Sequence, residues 1–145
     1  IETAETGHLV FGTLHTTTAV STVGRIIDQF PADRQSQIRV MLSESLKGVV
    51  AQVLLKKIGG GRVAAREIML TAGSVANLIR DGKTFQLPSI IQTNKKAGMN
   101  LLNDSLMELV EKKIVDPMDA YMKAVDKAGI EMMFKARNIK IDVKE

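Results

Sequence analysis

A chain of 145 residues, 45% hydrophobic and 25% charged, has the composition of a globular domain and the length to bury a core. Its lack of cysteine and its two histidines exclude a disulfide framework, thiolate zinc, a cysteine nucleophile and a multi-histidine metal centre. The net charge of +4 is spread evenly, with eight Lys/Arg against six Asp/Glu over residues 1–70 and twelve against ten over residues 71–145. That leaves no basic stripe for nucleic acid.

The chain opens on Ile1 and not on Met, so it is expected to be a processed or cut piece. Glu2 and Glu5 stand where a signal peptide would be basic. Residues 8–14 (HLVFGTL) read as a short buried strand of apolar and β-forming residues. The stretch from Thr6 to Gly24 has no charged residue, but six threonines, one serine, two histidines and three glycines make it too polar to span a bilayer. A cytoplasmic location without membrane insertion is expected. Thr17 or Thr18 caps a helix running to about Gln29, with Val20, Val23, Ile26 and Ile27 facing inward. Phe30-Pro31 breaks it, and Pro31 is suited to open the next helix. That helix is predicted from Ala32 to about Val50, because Ile38, Met41, Leu42, Leu46, Val49 and Val53 recur at spacings of three and four.

Gln52 to Lys56 and Val63 to Met69 read as strands joined through Gly59-Gly60-Gly61, a β-hairpin. The remainder is mostly helical: Ser74 to Arg80, capped by Gly82; Phe85 to Gln92; and Leu101 to Lys113, with Leu102, Leu106, Leu109 and Val110 on one side. A further helix starts at Asp116-Pro117 and ends at Gly129, and a last one reaches about Arg137. The tail Ile139-Lys140-Ile141-Asp142-Val143 alternates as an edge strand does, and fits a frayed terminus equally well.

His8 and His15 bracket the first predicted strand. Seven residues of straight strand would hold their rings about 20 Å apart, so each must act alone. His15 lies where a strand runs into a turn, the place where α/β sheets bind ligands. Gly82-Lys83-Thr84 has the ending of a phosphate-binding loop. Asn77 occupies the position of that motif's first glycine, however, and a helix C-cap explains Gly82 better. Gly59 to Gly61 lacks the spacing of a dinucleotide fingerprint. Arg39, Arg62, Arg66 and Arg80 are candidate phosphate or interface ligands, each also suited to a surface ion pair. The carboxylates offer no clear acid–base pair, and the methionines fall at the helical spacing of core residues.

The run from Glu5 to Thr16 (ETGHLVFGTLHT) resembles the histidine box of the secretion ATPases, the RecA-like hexameric motors of type II secretion and type IV pili. The resemblance continues through Arg25-Ile26-Ile27-Asp28, Phe30-Pro31, Leu42-Ser43-Glu44-Ser45-Leu46, Gln52-Val53-Leu54 and residues 59–65 to Glu67-Ile68-Met69. It weakens past Gly98. Secretion and extension members carry a paired-cysteine segment where this chain has residues 56–62 (KKIGGGR). The chain is therefore more similar to the retraction branch, the PilT/PilU-type twitching-motility ATPases. That branch has an A-I-R-N-L-I-R motif. Residues 74–80 read S-V-A-N-L-I-R, so Asn77, Leu78, Ile79 and Arg80 match while Ala76 replaces an arginine. Gly24 stands where the family has an acidic residue.

The resemblance implies an α/β fold: a partial RecA-like P-loop NTPase domain with the histidine-box strand and hairpin over residues 1–70, followed by a mainly helical subdomain over residues 71–145. It makes His15 a sensor near the γ-phosphate, His8 its partner, Thr16 a support of the turn and Arg62 a contact near the nucleotide base. Residues 77–80 would govern retraction or subunit contacts. ATP and Mg²⁺ would serve the intact protein, whose Walker motifs precede the histidine box; none of these motifs is in the chain, so neither ligand is expected on this segment alone. The implied partners are five further copies in a homo-hexamer and an inner-membrane pilus platform protein, with the motor at the cytoplasmic side of that membrane. The rival expectations are a secretion or pilus-extension ATPase and a non-catalytic interaction module.

Overall fold

The computed structural model describes residues 1–142. After a single helical turn, α1 (Glu2–Glu5), the chain runs without secondary structure through residues 8–14. It then forms α2 (Ala19–Ile27) and α3 (Gln35–Ser45), a hairpin of β1 (Gly48–Lys56) and β2 (Arg62–Leu70), and five helices. These are α4 (Gly73–Arg80), α5 (Leu87–Thr93), α6 (Leu102–Glu111), α7 (Pro117–Lys123) and α8 (Lys127–Ala136). Short 3₁₀ turns at Thr84–Gln86 and Lys95–Ala97 lie between α4, α5 and α6.

The hairpin is antiparallel, with Gly48 opposite Leu70 and Lys56 opposite Arg62. Gly59, Gly60 and Gly61 all have positive φ, which only glycine adopts without cost, so this run makes the turn. Val49, Ala51 and Leu55 of β1 and Ala65, Glu67 and Met69 of β2 point inward and are buried. The outer edge of β2 is covered by the chain entering α6. Ile68 and Asn100 exchange both backbone hydrogen bonds, at 2.8 and 3.0 Å, and the Arg66 N–H donates to Ser105 Oγ at 3.0 Å.

Two hydrophobic clusters lie on the hairpin's inner face. Val49 and Met69 join Val23, Ile27, Ile38, Leu42, Val75, Ile79, Leu87 and Ile91 in the first. Leu55 and Ala65 join Leu102, Leu106, Val110, Ile130 and Phe134 in the second.

Several predicted elements differ from what forms. The strand over residues 8–14 is absent: Leu9 is 80% and Phe11 88% exposed, and among the described residues no strand lies alongside to take its backbone hydrogen bonds. α3 begins at Gln35, because Pro31 opens a turn closed by the Arg34 N–H on the Pro31 carbonyl at 2.9 Å. It ends at Ser45, where Leu46 turns extended. Val49 and Val53 belong to β1; a spacing of four lies on one face of a strand as well as of a helix, so the pattern ran past the true boundary.

α7 ends at Lys123, and Gly129 sits inside α8. There it leaves room for Asp126, whose carboxylate accepts the Gly129 N–H at 2.9 Å as the cap of α8. Gly82 is the expected helix stop: Lys83 N–H reaches the Leu78 carbonyl and Gly82 N–H the Ile79 carbonyl, with Gly82 left-handed. The tail forms no strand over residues 139–142, where Ile139 and Ile141 rest on the second cluster; Val143 lies outside the described residues.

Candidate functional site

The residues around His15 are organised by hydroxyl groups. Thr18 caps α2 by accepting the Ser21 N–H at 3.1 Å, while Ser21 Oγ accepts the Thr18 N–H at 3.2 Å. This reciprocal box fixes the helix start. Behind it, Thr22 Oγ1 donates to the Thr18 carbonyl and shares a hydrogen bond with Thr16 Oγ1, both at 2.7 Å. Thr16 is thereby tied to the first turn of α2, and exposed His15 stands immediately before it. The turn that carries His15 leads into the N-terminus of α2, where partial positive charge favours an anion. His8 is also exposed, and its Nδ1 lies 3.0 Å from Thr6 Oγ1.

The other predicted site residues lie apart from this turn. Arg62 opens β2 at the glycine end of the hairpin, five residues along the strand from Glu67, which touches α2. At 3.3 Å per residue that is about 17 Å. Arg62 borders a depression of about 250 Å³ shared with Leu54, Lys56, Asp119, Met122 and Lys123. The run from Asn77 to Arg80 divides by face on α4. Ile79 is fully buried and Leu78 half-buried in the first cluster, whereas Asn77 and Arg80 are exposed, with Arg80 Nη1 donating to Asn77 Oδ1 at 3.5 Å.

One residue that sequence reasoning passed over is central to the geometry. Glu67 is 5% exposed. Its Oε1 accepts the Ala19 N–H at 2.7 Å and its Oε2 the Leu102 N–H at 3.1 Å. Ala19 and Leu102 are the first residues of α2 and α6. A single carboxylate thus satisfies two helix N-termini, whose dipoles favour negative charge there. The available signal was an acid at a strand position whose alternation faces the core.

Among the described residues, no group of three or more His, Cys, Asp or Glu is placed to hold a metal ion. No helix there is long and apolar enough to cross a membrane.

The hairpin, its helices and the histidine turn together make an α/β unit. Comparison with known proteins makes this specific. Residues 1–70 match the family described as type II/IV secretion system protein. The chain is 53% identical over 121 residues to a type IV pilus retractation ATPase, PilT, of Pseudomonas aeruginosa, covering 83% of this chain and 35% of that protein. It is 50% identical over 122 residues to a twitching motility protein of Neisseria gonorrhoeae, covering 83% and 33%. The crystal structure of a pilus retraction motor PilT with bound ADP superposes with a TM-score of 0.81 at 42% identity, over 91% of this chain and 38% of that one. A Legionella pneumophila ATPase, DotB, shares the fold at 22% identity, with a TM-score of 0.69 over 83% of this chain and 33% of its own. Over residues 1–70 the chain is similar to the type II/IV secretion system protein family, and over most of its length it is similar to PilT-type proteins. It spans about a third of the length of the curated relatives it matches.

Proposed function

We propose that these residues form the C-terminal part of a hexameric, ATP-hydrolysing motor that powers type IV pilus retraction and twitching motility. The observation that carries this is the histidine box, set on a hydroxyl-locked helix start in a chain about half identical to a retraction ATPase and to a twitching motility protein. The ADP bound to the PilT neighbour supports a nucleotide as the ligand. The division of labour is a RecA-like portion over residues 1–70 and a helical portion over residues 71–145. The motor works at the cytoplasmic face of the inner membrane against a pilus platform protein.

The donor set fits a phosphate. His15 donates an N–H to a γ-phosphate oxygen, Thr16 steadies the turn behind it, and His8 relates nucleotide state to the segment that precedes them. Arg62 meets nucleotide at a place other than beside His15. Asn77 and Arg80 offer polar contacts to a neighbouring subunit, while Leu78 and Ile79 seat their helix. His8, His15, Thr16 and Arg62 include no carboxylate, so this set offers none to Mg²⁺; when bound, that ion would neutralise phosphate charge.

In the intact protein, His15→Ala should lower kcat for Mg²⁺-dependent ATP hydrolysis about a hundredfold, the usual scale for losing one transition-state donor. An unchanged kcat would refute the role given to the histidine box. The 145-residue segment alone should show no turnover above background, and measurable hydrolysis by pure material would overturn that expectation.

A further inference from the structure

We infer that Glu67 is a positioning residue that holds the His15 turn in register with the platform made by β2 and α6. The inference rests on the phosphate-facing role proposed for His15. The start of α6 is fastened to β2 several times over. Ile68 and Asn100 exchange backbone hydrogen bonds, Asn100 Nδ2 donates to the Arg66 carbonyl at 3.1 Å, and Ser105 Oγ accepts the Arg66 N–H. Within that platform, the Leu102 N–H fixes Oε2 of the buried Glu67.

The start of α2 is held to the strand by the opposite carboxylate oxygen, through the Ala19 N–H. Ala19 follows His15 by four residues. The intervening chain is stiffened by the Thr16–Thr22 and Thr18–Ser21 hydrogen bonds. The two oxygens of one carboxylate have a fixed separation, so the donor N–H groups cannot move apart without breaking a bond. The order of support therefore runs from Leu102 to Glu67, from Glu67 to Ala19, and from Ala19 to the turn that carries His15. It follows the logic of a catalytic side chain oriented by a second group that is itself oriented by a third.

The test uses the intact motor with Glu67→Gln, which keeps the shape of the side chain but leaves an amide nitrogen facing one of the two N–H donors. We expect kcat to fall about tenfold, the scale of a slightly misplaced reacting group, with ADP affinity held within about twofold because ground-state binding is untouched. The double variant with His15→Ala should be no slower than His15→Ala alone, since both lie on one line of support. Hydrogen exchange at the Ala19 and Leu102 amides should accelerate together in Glu67→Gln.

If His15→Ala is slowed while Glu67→Gln keeps full kcat, or if the two losses multiply, the positioning role is overturned and the histidine-box role stands. If His15→Ala keeps full kcat, the histidine-box role fails, and the positioning role fails with it. Should Glu67→Gln not fold, the unsubstituted motor decides. A non-hydrolysable ATP analogue should slow exchange at both the Ala19 and Leu102 amides, and a change at neither overturns the inference.

Discussion

Tyr121 is the sole tyrosine in a chain without tryptophan, so its ionisation can be followed by absorbance alone. The Glu131 carboxylate raises its pKa above the ordinary 10.0, chiefly by accepting its hydrogen bond, with burial and the negative charge of Glu131 adding to the effect. The Lys127 ammonium lies 4.6 Å from the ring centroid. Because the folded pKa is raised, the fold retains the phenolic proton after the unfolded chain has released it. This contribution to stability is whole below pH 10 and is lost as pH climbs through the folded value. Absorbance titration of the native chain should give a tyrosinate midpoint above that of the urea-unfolded chain, and Glu131→Gln should bring the two together. Coincident midpoints in the unsubstituted chain would show that Glu131 does not hold the phenol. At this scale the sequence was uneven as a guide. His8, His15 and Thr16 stand out as candidates because a twelve-residue run surrounds them. Glu67 could not be assigned, since its partners are backbone N–H groups 48 and 35 residues away along the chain, and only the folded topology brings them together.

Elements whose boundaries are set by local chemistry were legible. Thr18 before α2, Asp116-Pro117 before α7 and Gly82 after α4 act within a few residues of themselves. Boundaries set by tertiary pairing were not: Val49 and Val53 suit a helix face until Met69 and Ala65 pair across from them. Gly129 shows how one residue type serves opposite ends of a helix. A Cβ at Gly129 would overlap the Asp126 carboxylate that caps α8. Alanine gains about 1 kcal/mol of helix propensity over glycine. Against this stand the loss of a cap worth about 1 kcal/mol and an overpacking cost of about 1–3 kcal/mol. Gly129→Ala should therefore lower the urea midpoint, by about 1 kcal/mol or more in stability. In an Asp126→Ala background the same change should raise it. A higher midpoint in the unsubstituted background would mean that the cap turns aside freely.

For the molecule as a whole, the irregular segment through Leu9, Val10 and Phe11 leaves large apolar side chains in water. Segments of this kind, with free backbone donors and acceptors, drive association. Light scattering of the purified chain should rise with concentration, and Leu9→Ser with Phe11→Ser should suppress the rise while leaving the melting temperature within about a degree, since exposed positions carry little stability. Scattering that persists in the double variant would place the adhesive surface elsewhere. The hairpin has a different consequence. Its Val49–Met69 end floors one hydrophobic cluster and its Leu55–Ala65 end floors the other. A crossover between two related genes at Leu70 would pair a hairpin from one ancestor with α4 to α8 from another, and the residues of those helices that pack on that floor would meet unfamiliar neighbours. The hairpin and the helices on both of its ends are thus constrained to be inherited together, whereas the glycine turn at residues 59–61 belongs to neither cluster and is free of that constraint.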